Sequence, residues 1–304
     1  MQPQVWFRSS IIFRSLFNLD PPAIDIAMAP GPAKTYTCDH AILEDGSVAF
    51  ACSGEVGAWR WLALPPTHPI FIQTFNYYIS VECSAARGTL DPSKWSALTW
   101  MSWEIGKAGA GIPVRGIMGN RADGEKIGFG IDLFDAEERL VYRTAGRGVV
   151  FQNRNFEGWR SKAKKELDAE KQPPPFTFAP REAVGALDSE HALIAPLDEG
   201  ATETEALITN ANGMSPGSRF LDGSGDHVNA VHLAEVGRQF CALLTGKPDL
   251  TLTGGEISFT RYVEMNVPFS IALTNRDEET IEMVIEQAGK PCTSIIYRPA
   301  KDRA

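Results

Sequence analysis

The chain is poor in the residues that would staple it or load it with metal. Its five cysteines, Cys38, Cys52, Cys83, Cys241 and Cys292, are odd in number and scattered, and none forms a CxxC pair. That argues against a disulfide framework and against a thiolate zinc site. Five dispersed histidines add no metal-ligand spacing. There is no excess of basic charge either: 29 Lys and Arg face 38 Asp and Glu, for a net charge of −9. A polyanion-binding surface is therefore not expected, whether for nucleic acid or for a membrane. No apolar run reaches the length of a membrane span. What remains is a chain of 304 residues, 43% apolar, enough for two ordinary domains with real cores. A cytoplasmic location is the default for free thiols.

Residues 1–30 read as a leader, with a second candidate start at Met28. From there to about residue 155 the chain reads as one unit. A short segment around Trp59, Trp61 and Leu62 could be helical up to Pro65-Pro66. Residues 70–83, rich in Ile, Phe, Tyr and Val, read as a strand, as do 98–105, 126–134 and 140–151. In 126–134 the alternation is clean, with Ile127, Phe129, Ile131 and Leu133 on one face. Residues 156–195 read as a linker, because a charged helical stretch runs into Gln172-Pro173-Pro174-Pro175.

Residues 196–304 form the second unit. A strand near 206–208 leads through a Gly/Asn/Ser-rich loop to a helix over 228–244, stopped by Thr245-Gly246-Lys247-Pro248. Strand-like runs follow at 257–267, 269–275, 281–287 and 293–297. A lone helix followed by an antiparallel meander must be covered by that meander. The expected class is therefore α+β: a tandem, or double, hotdog, each half a curled antiparallel sheet around a central helix.

The second helix carries an apolar stripe of Leu233, Val236, Phe240, Leu243 and Leu244. A polar stripe of His232, Glu235 and Gln239, with Arg238 beside it, lies on another face. A carboxylate on an enclosed helix must find partners, so Glu235 belongs either to the seam between the halves or to an acyl tunnel. Upstream, Gly223 and Gly225 let the backbone approach a ligand. Amides near Asn229 and Ala230, backed by the helix dipole, could hold a thioester oxygen. His227 is the acid–base candidate, with Asp226 or Glu235 to orient it; the plainer alternative makes Asp226 a helix cap. Arg238 and Gln239 join the substrate-binding candidates. In the first unit the candidates are His68 with Tyr77 or Tyr78, and Glu55 as a counterpart to Glu235.

The run Asp226-His227-Val228, continuing to Glu235 and Arg238-Gln239, resembles the helix motif of the A-factor-biosynthesis hotdog repeats. His227-Val228-Asn229 also resembles the His-Val-Asn turn of hotdog acyl-CoA thioesterases, whose acidic residue falls at Gly223 here. Three further pieces are similar to the leinamycin-pathway double-hotdog acyltransferase/decarboxylase: Gly54-Glu55-Val56-Gly57-Ala58-Trp59-Arg60-Trp61, Asn155-Phe156-Glu157-Gly158-Trp159 and Ala179-Pro180-Arg181. Together with the fatty-acid dehydratases, these resemblances imply an acyl group held as a thioester on CoA or on a carrier-protein pantetheine. Acyl transfer or related acid–base chemistry is the first expectation; dehydration, hydrolysis and plain acyl binding are the alternatives. No cofactor beyond the pantetheine of the substrate is implied, and a homodimer is left open.

Overall fold

The alternating runs do become strands, and they join into one sheet. The computed structural model describes residues 35–94, 96–123, 126–151, 156–169, 171–186, 191–212 and 227–301. The leader, Asp226, Gly223, Gly225 and Trp95 lie outside the described residues. Six strands belong to the first half: β1 (Thr37–Ile42), β2 (Val48–Cys52), β3 (Ser96–Ile105), β4 (Arg115–Asp123), β5 (Lys126–Phe134) and β6 (Leu140–Val150). The second half supplies β7 (Glu203–Ala206), β8 (Leu252–Phe259), β9 (Phe269–Arg276), β10 (Ile281–Gln287) and β11 (Lys290–Pro299). They line up as β1-β2-β4-β5-β6-β3-β8-β11-β10-β9-β7, with every pairing antiparallel.

The junction of the halves is the β3–β8 pair, where Met101 faces Ile257 and Trp103 faces Gly255. The Trp103 ring lies so close over Gly255 that a Cβ there would sit 2.3 Å from it. Only glycine lets the indole cross this seam.

Two helices complete the tandem hotdog. α3 (Ala230–Thr245) is capped by Asn229, whose side chain accepts from the amides of Val231 and His232, and stops at Gly246 in the left-handed region (φ 64°). Its residues from Val231 to Ala242 are all buried. The Tyr297 hydroxyl donates to the Ala234 carbonyl at 2.6 Å, and Gly237 lets Ile295 and Tyr297 close in on the helix. This is the enclosed rod that the hydrophobic spacing requires.

The other helix corrects the sequence reading. Residues 70–83 are not a strand but most of α1 (Pro69–Ala86), and the short segment expected to be helical is one 3₁₀ turn, Arg60–Ala63. β-branched and aromatic content suggested a strand, yet pairing partners on every side decide otherwise. Phe71, Phe75 and Tyr78 recur at helical spacing and build a ring cluster with Tyr36, Trp59 and Trp61. Pro69 at the first helical position and His68 as cap start it where a strand would need a free amide. Glu55 accordingly lies in an exposed turn, not on the first central helix.

The stretch expected to be a linker packs closely. α2 (Phe156–Glu166) docks through Arg160, which pairs with both carboxylate oxygens of Glu264, one at 2.7 Å. Further on, Ala179, Val184 and Ala192 form a small apolar cluster against Leu243 of α3.

Candidate active site

The amino end of α3 is where chemistry-bearing side chains gather. Val228 bridges to Val263, which pins the chain just before the cap and brings Tyr262 alongside. The half-buried His227 imidazole meets the Tyr262 ring edge-on, with centroids 4.6 Å apart. The Arg160 guanidinium covers the same tyrosine at 4.4 Å, and Trp159 flanks it at 5.9 Å. Because Asn229 takes the amides of Val231 and His232, the cap leaves that of Ala230 unused. His232 sits farther along α3 and is 3% exposed. Burial, and then the neighbouring His227, push its imidazole down to about 4.

Glu235 and its polar neighbours are closed rather than open. Arg238 Nε donates to Glu235 Oε2 at 2.9 Å, and its terminal nitrogen donates to Oε1 at 2.6 Å. Gln239 donates to the same Oε1 at 2.9 Å. The outer sides of these residues grip the connecting segment: Arg238 donates to the carbonyls of Val184 and Gly185, and Gln239 donates to that of His191 while accepting from the Leu193 amide. From the first half, His68 Nε2 comes within 3.8 Å of Glu235 Oε2. Glu235 thus lies where residues of the two halves and of the connecting segment come together.

The electrostatics follow from that enclosure. Burial works to raise the Glu235 carboxyl, but the Arg238 charge, His68 and the donated hydrogen bonds outweigh it and hold the group below its usual range. His68 goes down to about 4: burial leads, Arg238 adds to it, and Glu235 opposes. A neutral His68 leaves Arg238 as the cation that keeps Glu235 ionised. His68 Nδ1 accepts from the Ile70 amide at 3.3 Å, which places the ring proton on Nε2, facing the carboxylate.

Both buried imidazoles bind protons more weakly in the fold than their ordinary value of 6.5. Below that pH the unfolded chain takes up protons that the fold refuses, so stability falls as pH drops from about 6.5 to about 4. Each histidine is expected to contribute about 3 kcal/mol to that loss. Unfolding midpoints measured across this window should slope steeply, and His68→Gln with His232→Gln should flatten the slope. An unchanged slope in the double variant would remove both groups from the effect.

The remaining sequence candidates separate. Tyr78 is 8% exposed and packs its ring 5.0 Å from Trp59, inside the core cluster. Tyr77 stands beside it at 5.4 Å on the same helix. Nothing in the sequence hinted at the Arg160–Glu264 pair, because Arg160 read as one charge in a charged linker. Nor did it flag Glu82 on α1, 3% exposed, which accepts from the amides of Tyr36 and Thr37 and from the Thr37 hydroxyl. That hydroxyl also bonds His40 Nε2 at 2.8 Å, at a cleft of about 340 Å³ beside β1. Among the described residues no group of side chains could hold a metal, and no helix is long and apolar enough to cross a membrane.

No family model and no curated protein matches this chain. Solved structures do. An acyl-ACP thioesterase from Bacteroides thetaiotaomicron superposes with a TM-score of 0.51 over 84% of this chain and 97% of its own, at 8% identity. The 12:0-ACP thioesterase of Umbellularia californica does so with a TM-score of 0.50 over the same shares, at 11% identity. At such identities the likeness is one of fold: this chain is a tandem hotdog, like the two thioesterases.

Proposed function

We propose that this chain is an enzyme of acyl-thioester chemistry, taking its acyl group from an acyl carrier protein or from CoA, with His227 as its acid–base group. The observation that carries the reading is a half-buried imidazole set immediately before the start of an enclosed central helix. The two thioesterases of like fold act, by their names, on acyl carrier proteins, and that substrate class is carried over here as part of the proposal. In the reaction, the Ala230 amide and the α3 dipole support the carbonyl oxygen as it gains charge. His227 takes the proton of the attacking hydroxyl, whether of water or of an acceptor. The tetrahedral centre then expels the pantetheine thiolate, and the imidazolium returns the proton to sulfur. No further cofactor is called for. Glu235 holds Arg238 and Gln239, which grip the connecting segment.

A second reading is favoured by one distance. His68 and Glu235, from opposite halves, face each other at 3.8 Å. Such a pair could remove an α proton and a hydroxyl from a hydroxyacyl thioester, making the enzyme a dehydratase.

Mass spectrometry separates the two. Acyl-carrier and acyl-CoA substrates incubated with the protein should lose the acyl chain from the carrier. Loss of water from a retained chain would favour dehydration, and tight binding with neither product would reduce the protein to an acyl-binding scaffold.

A further inference from the structure

Gln73 and Asn76 stand one turn apart on α1, only 2% and 4% exposed. At 100° per residue they fall on the face opposite Phe71 and Phe75, which pack their rings with Trp61 and Tyr142. Among the described residues, neither the nitrogen nor the oxygen of the Gln73 amide has a hydrogen-bond partner, and Asn76 Oδ1 has none. Buried amides in folded proteins are nearly always satisfied, because leaving one dry forfeits its bonds to water. Two on one helical stripe, with a donor and two acceptors open, mark a place where something else completes the bonding. Glu82, the one charged residue of α1, lies on the far side and is already bonded, so this helix supplies no charge to the stripe. The group that completes the bonding must both donate and accept.

We infer that Gln73, with Asn76, binds a hydroxyl on the acyl chain of the substrate, so that the protein selects hydroxylated acyl groups over plain ones. The inference deepens the acyl-thioester reading and rests on it. A hydroxyl is compact enough for a site this enclosed. It accepts from Gln73 Nε2 and donates its one proton either to Gln73 Oε1 or to Asn76 Oδ1. An amide of the pantetheine arm, which leads back toward solvent, fits a position 2% exposed less well. A site built to bond a hydroxyl discriminates strongly against the analogue lacking it, because its own polar groups are then stranded.

The test uses the full chain with matched pairs of N-acetylcysteamine thioesters, saturated and hydroxylated, the hydroxyl being moved along the chain. Binding is read by calorimetry and turnover as kcat/KM. At one hydroxyl position the wild type should prefer the hydroxylated member by at least about tenfold. Gln73→Leu should bring that ratio near one, hold or improve affinity for the saturated member, and unfold no earlier than the wild type. Equal affinity across every pair in the wild type overturns the inference without any variant, and so does a preference that survives Gln73→Leu. A binding preference without turnover of any thioester supports the hydroxyl site while sinking the enzymatic reading; turnover with no preference does the reverse.

Discussion

Replacing His227 by alanine is expected to lower turnover of an acyl thioester by about 10²- to 10⁴-fold while leaving the unfolding midpoint within about a degree or two, as for a surface substitution. The imidazole lies ahead of the cap, so α3 keeps Asn229 and its capping bonds to Val231 and His232. Its ring packs against Tyr262, and Tyr262 remains stacked under Arg160 and beside Trp159. The fold therefore loses little and the chemistry loses its proton carrier. Circular dichroism and calorimetry report the first, and steady-state release of free thiol reports the second. Wild-type turnover in His227→Ala would take the residue out of the mechanism. His227→Gln separates shape from proton transfer: it keeps a polar group of similar size and should remain as slow as the alanine variant.

The second large effect is on stability. Glu235→Gln should cost about 3–5 kcal/mol in urea unfolding, because it leaves the Arg238 guanidinium charged, 4% exposed and without its carboxylate. The Val184 and Gly185 carbonyls still accept from Arg238 but do not neutralise it. The double variant Glu235→Leu with Arg238→Met should recover most of the loss, since a buried ion pair replaced whole by apolar groups of similar volume is close to neutral. Turnover per folded molecule should stay within a few-fold in Glu235→Gln, as the carboxylate is bonded to Arg238 and Gln239 of its own helix. A fall of more than about a hundredfold, beyond the loss of folded protein, would instead support dehydration at His68 and Glu235.

Much of the second half was legible. The α3 pattern, its Gly246 stop and the strands β9, β10 and β11 lie within a few residues of where periodicity put them. The strands alternate buried and less buried residues, and α3, though buried all round, still separates an apolar stripe from His232, Glu235 and Gln239, so the periods show. α1 failed for the opposite reason. Its first two turns are buried all round, its few polar residues are too sparse to set a period of 3.6, and its Ile, Phe and Tyr content resembles that of a strand. β4 went unread because Gly116 and Gly119 interrupt its alternation; at Gly116 a side chain would run into Phe50 and Leu133. Of the candidate site, the sequence pointed to His227, Asn229 and the polar stripe of α3. It could not say that Glu235 would meet His68, some 170 residues away along the chain, because such pairing depends on which strands become neighbours.

Composition and local pattern by themselves determined the class, a tandem of helix-bearing antiparallel sheets, because strand alternation and a capped apolar helix are properties of nearby residues. Only the tertiary structure decided that the halves share one sheet through β3 and β8, that α1 is a helix, and that the connecting segment is clamped onto α3 by Arg238 and Gln239. It alone revealed that the Gln73 amide and Asn76 Oδ1 are buried with no hydrogen-bond partner among the described residues. Each of these depends on what is absent or present across space, such as a missing partner or a second strand edge, and no window of sequence contains that information.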